Sequence, residues 1–266
     1  LPDTLLGTVT AQLIPVRALV IDDDPMSRDL LAILLEGEGY AVQSVDSGEA
    51  ALVLLRRGEP APDVVLADMQ MPGTTGAQLA RELRRACGSA TVLLAISGSQ
   101  PPAQTISLFD GFLVKPFRME QVAAAIKAHR PEQNPTREPE AEEAVKAEAS
   151  DNASVLNETI YQKLAGSIPA QQLREMYVMC VDDARKRISG MRELAADRDM
   201  ARFIREAHAI KGSSGMLGAT ELHRIASELE ARGPGNPASG AVGEVNSLNE
   251  LAAACDRLER MLRLRV

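Results

Sequence analysis

Five charged side chains stand where apolar runs of this sequence give way to polar residues. Asp22, Asp23 and Asp24 follow "RALVI", Asp68 follows "DVVLA", and Lys115 follows "GFLV". Ser97 occupies the same kind of position after "TVLLAI". If these runs are neighbouring parallel strands, the carboxylates of Asp22, Asp23 and Asp68 converge at one end of the sheet. Clustered carboxylates repel one another unless a cation joins them. Oxygen ligands with room for water suit Mg2+, and Lys115 adds a second positive charge from the far side. Such a constellation suits phosphoryl transfer, where catalysis is mostly positioning and charge neutralisation. A carboxylate can itself be the nucleophile and give an acyl phosphate; Asp68, at the centre of the pocket, is the choice. Asp24-Pro25 also reads as a helix N-cap with proline at the first helical position.

A second candidate lies in "HAIKGSSGMLGA" (208–219), within a stretch of helical pattern. Glycine inside a helix costs about 1 kcal/mol relative to alanine, so Gly212 and Gly215 need a reason. On a helical wheel Phe203, Ile210, Ser214 and Leu217 fall on the core side, whereas Lys211, Gly212 and Gly215 surround His208. The histidine is therefore expected on the solvent face, with space cleared for a bulky partner surface. Neutral imidazole is a nucleophile near pH 7, and Lys211, one turn on, can meet an anionic group.

These residues need two kinds of scaffold. Over 17–130, five short apolar runs alternate with amphipathic stretches such as "SRDLLAILLEGEG" (27–39) and "GAQLARELRRACG" (76–88). That pattern predicts a doubly wound α/β domain with a five-stranded parallel sheet, flavodoxin-like, in the order 2-1-3-4-5. The near-continuous apolar runs fit strands buried on both faces. Residues 153–266 show no strand pattern and read as helices near 154–165, 169–196, 198–216, 219–232 and 241–265, an all-α bundle. "ARGPGNPASG" (231–240) separates the last two. Residues 131–152, rich in Pro, Glu and Ala, read as a linker, and residues 1–16 as an N-terminal tail.

Composition narrows the class. The chain has 266 residues, 45% hydrophobic but only 3% aromatic, and no Trp. A net charge of −8 argues against nucleic acid as a direct partner. Cys87, Cys180 and Cys255 show neither metal-ligand spacing nor a disulfide framework, which fits a reducing, cytoplasmic setting. No apolar run reaches the length of a membrane span, and neither a P-loop nor a kinase-like glycine-rich signature is present.

Residues 17–130 resemble a receiver domain of two-component signalling, on "VIDDDP", "ADMQMPG", Ser97 and "VKP". The resemblance implies that Asp22 and Asp23 serve Mg2+ with the Gln70 backbone carbonyl, that Asp68 is phosphorylated, and that Ser97 and Phe112 form a switch pair beside Lys115. One departure stands out: only 17 residues separate Ser97 from Lys115, fewer than receivers usually have, leaving room for a stub of the fourth helix. "AHAIKGSSGMLGA" followed by "LHRIASELEA" resembles a histidine-containing phosphotransfer (HPt) domain, which implies a four-helix bundle displaying His208 as the phosphorylated residue, with Lys211 and Gly212 at motif positions. His129 and His223 match no such position and read as ordinary helix residues. Together the resemblances imply a bacterial phosphorelay protein whose partners are a sensor histidine kinase and other receiver domains. The start at Leu1 suggests the C-terminal part of a hybrid histidine kinase. A regulatory binding module, in which phosphorylation of Asp68 changes docking and His208 serves a separate receiver, is the alternative. An aspartyl-phosphate phosphatase ranks lower, because such enzymes usually carry a second Asp where Gln70 stands.

Overall fold

The computed structural model describes residues 15–57, 60–73, 76–98, 103–129, 154–231 and 241–265. The expected tail through residue 14, the linker 131–152 and most of the break at 231–240 lie outside these residues. The first half is a five-stranded parallel sheet, β1 (Arg17–Ile21), β2 (Ala41–Val45), β3 (Val64–Asp68), β4 (Val92–Ser97) and β5 (Gly111–Val114), in the order β2-β1-β3-β4-β5. β3 and β4 are buried along their whole length, as their continuous apolar sequences require. β1 aligns Ile21 with Ala67 of β3, and β3 aligns Asp68 with Ile96 of β4. The register therefore brings the residues after β1, β3 and β4 to one edge, at the point where strand order reverses.

The sheet is flanked by α1 (Pro25–Gly37), α2 (Gly48–Leu55), α3 (Gly76–Cys87), α4 (Ala103–Ile106) and α5 (Met119–His129). Asp24 caps α1 by accepting from the Ser27 N–H at 2.8 Å, with Pro25 opening the helix. The four residues of α4 make it the stub that the short spacing predicts. On one face, Leu79 and Leu83 of α3 pack with Leu19, Val65 and Leu93 of the sheet. On the other, Leu30 and Leu34 of α1 and Val122 of α5 cover Val20, Leu66 and Leu94.

The second half holds α6 (Glu158–Ser167), α7 (Ala170–Ala196), α8 (Met200–Met216), α9 (Thr220–Ala231) and α10 (Ala241–Arg263). α7 packs on α8 and α10, and α9 packs on the same two helices, which closes a four-helix ring; α6 lies against α7. α6 begins later than the periodicity predicts, because Asn157 caps it by accepting from the Ile160 N–H at 3.1 Å. Ser213 and Ser214, buried in α8, satisfy their hydroxyls by donating to carbonyls one turn back, Ala209 at 3.1 Å and Ile210 at 2.5 Å. This is how α8 tolerates two consecutive serines in its core face. Cys87, Cys180 and Cys255 are all buried free thiols.

Tyr177 of α7 is 1% exposed, and its hydroxyl donates to the Leu217 carbonyl at the end of α8, 2.8 Å away. Tyr177→Phe should destabilise the bundle by about 1–3 kcal/mol, since it strands a buried acceptor while conserving the ring. Chemical denaturation followed by circular dichroism checks this; an unchanged midpoint would mean that Leu217 finds another donor.

The two halves meet. The apolar cluster under α1 and α5 is continuous with the bundle core, and α1 packs on α7 and α8. Arg187 of α7 forms an ion pair with Asp24 at the start of α1. Lys163 of α6 pairs with Glu120 of α5 at 2.6 Å.

A carboxylate pocket and a half-buried histidine

Lys115, directly after β5, reaches back across the sheet edge. Its Nζ donates to Asp22 Oδ2 at 2.9 Å and to Asp68 Oδ2 at 2.6 Å. The other carboxylate oxygens accept backbone N–H groups, Asp22 Oδ1 from Asp24 at 2.9 Å and Asp68 Oδ1 from Gln70 at 2.8 Å. Asp22, Asp68 and Lys115 are each at most 5% exposed. Burial pushes the Asp22 carboxyl up to about 6, with the charge of Asp68 adding to the effect and Lys115 opposing it. Burial alone would lower the Lys115 pKa, but the charges of Asp22 and Asp68 raise it above the usual lysine range. Asp23 is exposed at the rim, and its pKa is raised by partial burial and by the charge of Asp68. Ser97 is buried at the end of β4, and Phe112, aligned with Ala95, is half-buried against the α3 side of the core.

With its aspartates ionised, the pocket holds three carboxylates against one ammonium. The donor set is all oxygen, and the excess negative charge fits a hard divalent cation. Among the described residues no three His, Cys, Asp or Glu side chains are already grouped as a metal cage. The reason is visible in the geometry: Lys115 takes one oxygen from each of Asp22 and Asp68, and Asp23 stands at the rim.

His208 lies on α8. Its Nδ1 is 2.6 Å from Glu230 Oε1 of α9, and Lys211 Nζ donates to Glu230 Oε2 at 2.9 Å. Burial works to raise the Glu230 pKa, but hydrogen bonds from His208 and Lys211 hold it down at about 2. An ionised carboxylate only accepts, so Nδ1 carries the proton and the lone pair of neutral His208 lies on Nε2. That Nε2 is buried without a hydrogen-bond partner. The ring edge meets the receiver rather than open solvent: a Cβ added to Gly98, just after Ser97, would lie 2.1 Å from Cε1, 3.0 Å from Nε2 and 3.1 Å from Nδ1. The wheel correctly turned His208 away from the bundle core, but the expected solvent face is in fact an interface.

The helix glycines sit in the same contact. A Cβ on Gly212 would meet Ser27 Oγ at 3.7 Å and Lys115 Cδ at 3.8 Å; one on Gly215 would meet Pro116 Cβ at 2.7 Å and His223 Nδ1 at 2.8 Å. The cleared space is thus filled by this chain's own receiver, and Gly215 serves packing within the bundle as well. His223 is more than an ordinary helix residue: its Nδ1 lies 3.0 Å from the Lys211 carbonyl, tying α9 to α8, and burial lowers its pKa. Among the described residues, His129 bonds to the Ala125 carbonyl of its own helix, at 2.9 Å.

Sequence reasoning missed Glu230, Gly98, Arg187 and the second role of Asp24. "ASELEA" marks Glu230 only as one acidic residue among several on a helix.

Residues 18–127 match the response regulator receiver domain, and residues 175–261 match the Hpt domain. The chain is therefore a receiver followed by an Hpt domain, the composition of a two-component phosphorelay protein, and both parts are phosphotransfer modules. Over its receiver it is 33% identical to the DNA-binding response regulator MtrA of Mycolicibacterium smegmatis, across 42% of this chain and 49% of that protein. It is 36% identical to the positive alginate biosynthesis regulatory protein of Pseudomonas aeruginosa, across 43% of this chain and 48% of that protein. The chain spans about half the length of these relatives. A CheY-like receiver domain structure from Methylobacillus flagellatus aligns at 27% identity and a TM-score of 0.39, over 44% of this chain and 99% of that one. Among the described residues no helix is long and apolar enough to cross a membrane.

Proposed function

We propose that this chain carries phosphoryl groups on two residues, Asp68 of the receiver and His208 of the Hpt domain. The observation that carries the reading is the pairing of the two sites: a buried aspartate neutralised by Lys115, and across the interface a histidine whose Nδ1 is held by Glu230 and whose Nε2 has no hydrogen-bond partner. Asp68 takes a phosphoryl group from a phosphohistidine of a sensor kinase. His208 accepts from, or donates to, a receiver aspartate. Asp22, Asp23, Asp68 and the Gln70 carbonyl are the residues that would hold Mg2+, which when bound offsets the charge of the phosphoryl oxygens. Lys115 and Ser97 contact the phosphoryl group, and Phe112 responds to it. Glu230 fixes the His208 tautomer, Lys211 supplies positive charge beside the ring, and Gly212 and Gly215 let the receiver of this chain approach closely. A protein with these partners works in the cytoplasm.

The test is to treat the protein with a small-molecule acyl phosphate donor and Mg2+, then map the phosphate by mass spectrometry. Base-labile phosphate is expected on Asp68 and acid-labile, base-stable phosphate on His208. Asp68→Asn should remove the first, and His208→Gln the second. Phosphate persisting when both residues are replaced together would place the chemistry elsewhere.

A further inference from the structure

The interface does more than bring two modules near each other. Arg187, 14% exposed, is held among three carboxylates: Asp24 of the receiver, and on its own bundle Asp183 at 2.6 Å from Nε and Glu206 at 2.8 Å from Nη1. A planar guanidinium with fixed donors suits such a junction far better than a lysine does. Asp24 serves both sides at once, Oδ1 capping α1 and Oδ2 accepting from Arg187. At Gly98 the receiver has no side chain, and the His208 ring occupies that position. Cε1 is the ring atom nearest that position, and Nε2 beside it is the one buried polar side-chain atom without a partner among the described residues. A group desolvated without compensation is costly, so its position calls for a role.

Building on the assignment of Asp68 and His208 above, we propose that the partner of His208 is this chain's own receiver. The imidazole seats in the space left open by Gly98, the Arg187–Asp24 ion pair locks the seat, phosphoryl passes between Asp68 and His208 of one molecule, and other receivers are kept off His208 while the seat is filled. In the transfer the Nε2 lone pair forms a P–N bond as the P–O bond to Asp68 breaks. The bonding pair returns to Asp68 as carboxylate, which Lys115 then neutralises. The Nδ1 proton stays in its hydrogen bond to Glu230, and the reverse step follows the same path. Gly98 and Arg187 act as specificity-determining residues. Any side chain at position 98 intrudes on the ring, and a partner lacking an acid at the position of Asp24 leaves Arg187 facing only its own acids.

The experiment uses full-length chains and expresses transfer per phosphorylated Asp68. In the wild type the rate of Asp68-to-His208 transfer should not change over a tenfold dilution. Gly98→Ala should slow it at least about tenfold, since displacement of reacting groups by roughly an ångström can cost about 100-fold, and Arg187→Ala should slow it as well. The decisive arm mixes a donor chain carrying His208→Gln with an acceptor chain carrying Asp68→Asn. Transfer between them should be slow, because each His208 face is covered by its own receiver. Adding Gly98→Ala to the acceptor alone should then accelerate it several-fold, whereas simple damage to the acceptor would slow it. Wild-type transfer that scales with concentration, or an acceptor Gly98→Ala that gives no acceleration, overturns the intramolecular seat while leaving Asp68 and His208 as phosphoacceptors. Absence of phosphate from both residues overturns the underlying assignment and the seat with it.

Discussion

Lys115→Ala should destabilise the receiver by about 3–5 kcal/mol at neutral pH, the usual cost of removing one partner from a buried ion pair. The Nζ makes short contacts to both Asp22 and Asp68 in a pocket closed to solvent, so its loss leaves two buried carboxylates facing each other. For a domain of this size each kcal/mol corresponds to about 4–8 °C in the melting temperature; a fall of more than roughly 10 °C is expected. The pH dependence gives a second check. Asp22 already has a pKa raised to about 6 by burial, above that of an unfolded aspartate, and removal of Lys115 raises it further. The folded variant therefore binds more protons than its unfolded chain, and its stability should rise as pH falls from neutral toward the ordinary aspartate range. A variant that melts like the wild type at pH 7.5 would mean that the carboxylates relax into solvent.

Glu230→Ala should slow phosphorylation of His208 by about 10- to 100-fold, by analogy with metal-binding histidines that lose the partner fixing their tautomer. Glu230 is the hydrogen-bond partner of both His208 Nδ1 and Lys211. Without it the proton is free to move to Nε2, where it blocks the nucleophilic lone pair. Glu230→Gln should lose less, because the amide oxygen still accepts from Nδ1–H. The two nitrogens give distinct NMR signals, so the tautomer can be read directly. An unchanged tautomer together with an unchanged rate would reduce Glu230 to a packing residue.

The elements of the receiver were legible because burial on both faces of β3 and β4 leaves continuous apolar runs, bounded by the residues that do chemistry. Asp24 declared itself as a cap through its proline, and the caps at Asn157 and Asp199 set the starts of α6 and α8 slightly later than periodicity alone placed them. The docking was not legible. Arg187 and Asp24 are 163 residues apart, and nothing local in either segment announces the other. A helical wheel reports which face of α8 turns from its own bundle; it carries no information about what covers that face. Glu230 escaped for a related reason, since its relation to His208 depends on how α9 lies against α8. Gly98 is a residue whose contribution is the side chain it lacks.

The one-turn α4 bears on how long a message lasts in this molecule. A receiver that reports by shape needs a broad face of helices beside β5 that others can read; here α5 lines β5, but among the described residues α4 supplies a single turn, and Val114 is exposed. On the function proposed above, a signal in this molecule is then carried chiefly by the phosphoryl bond itself, and its lifetime is that of a P–O or P–N bond.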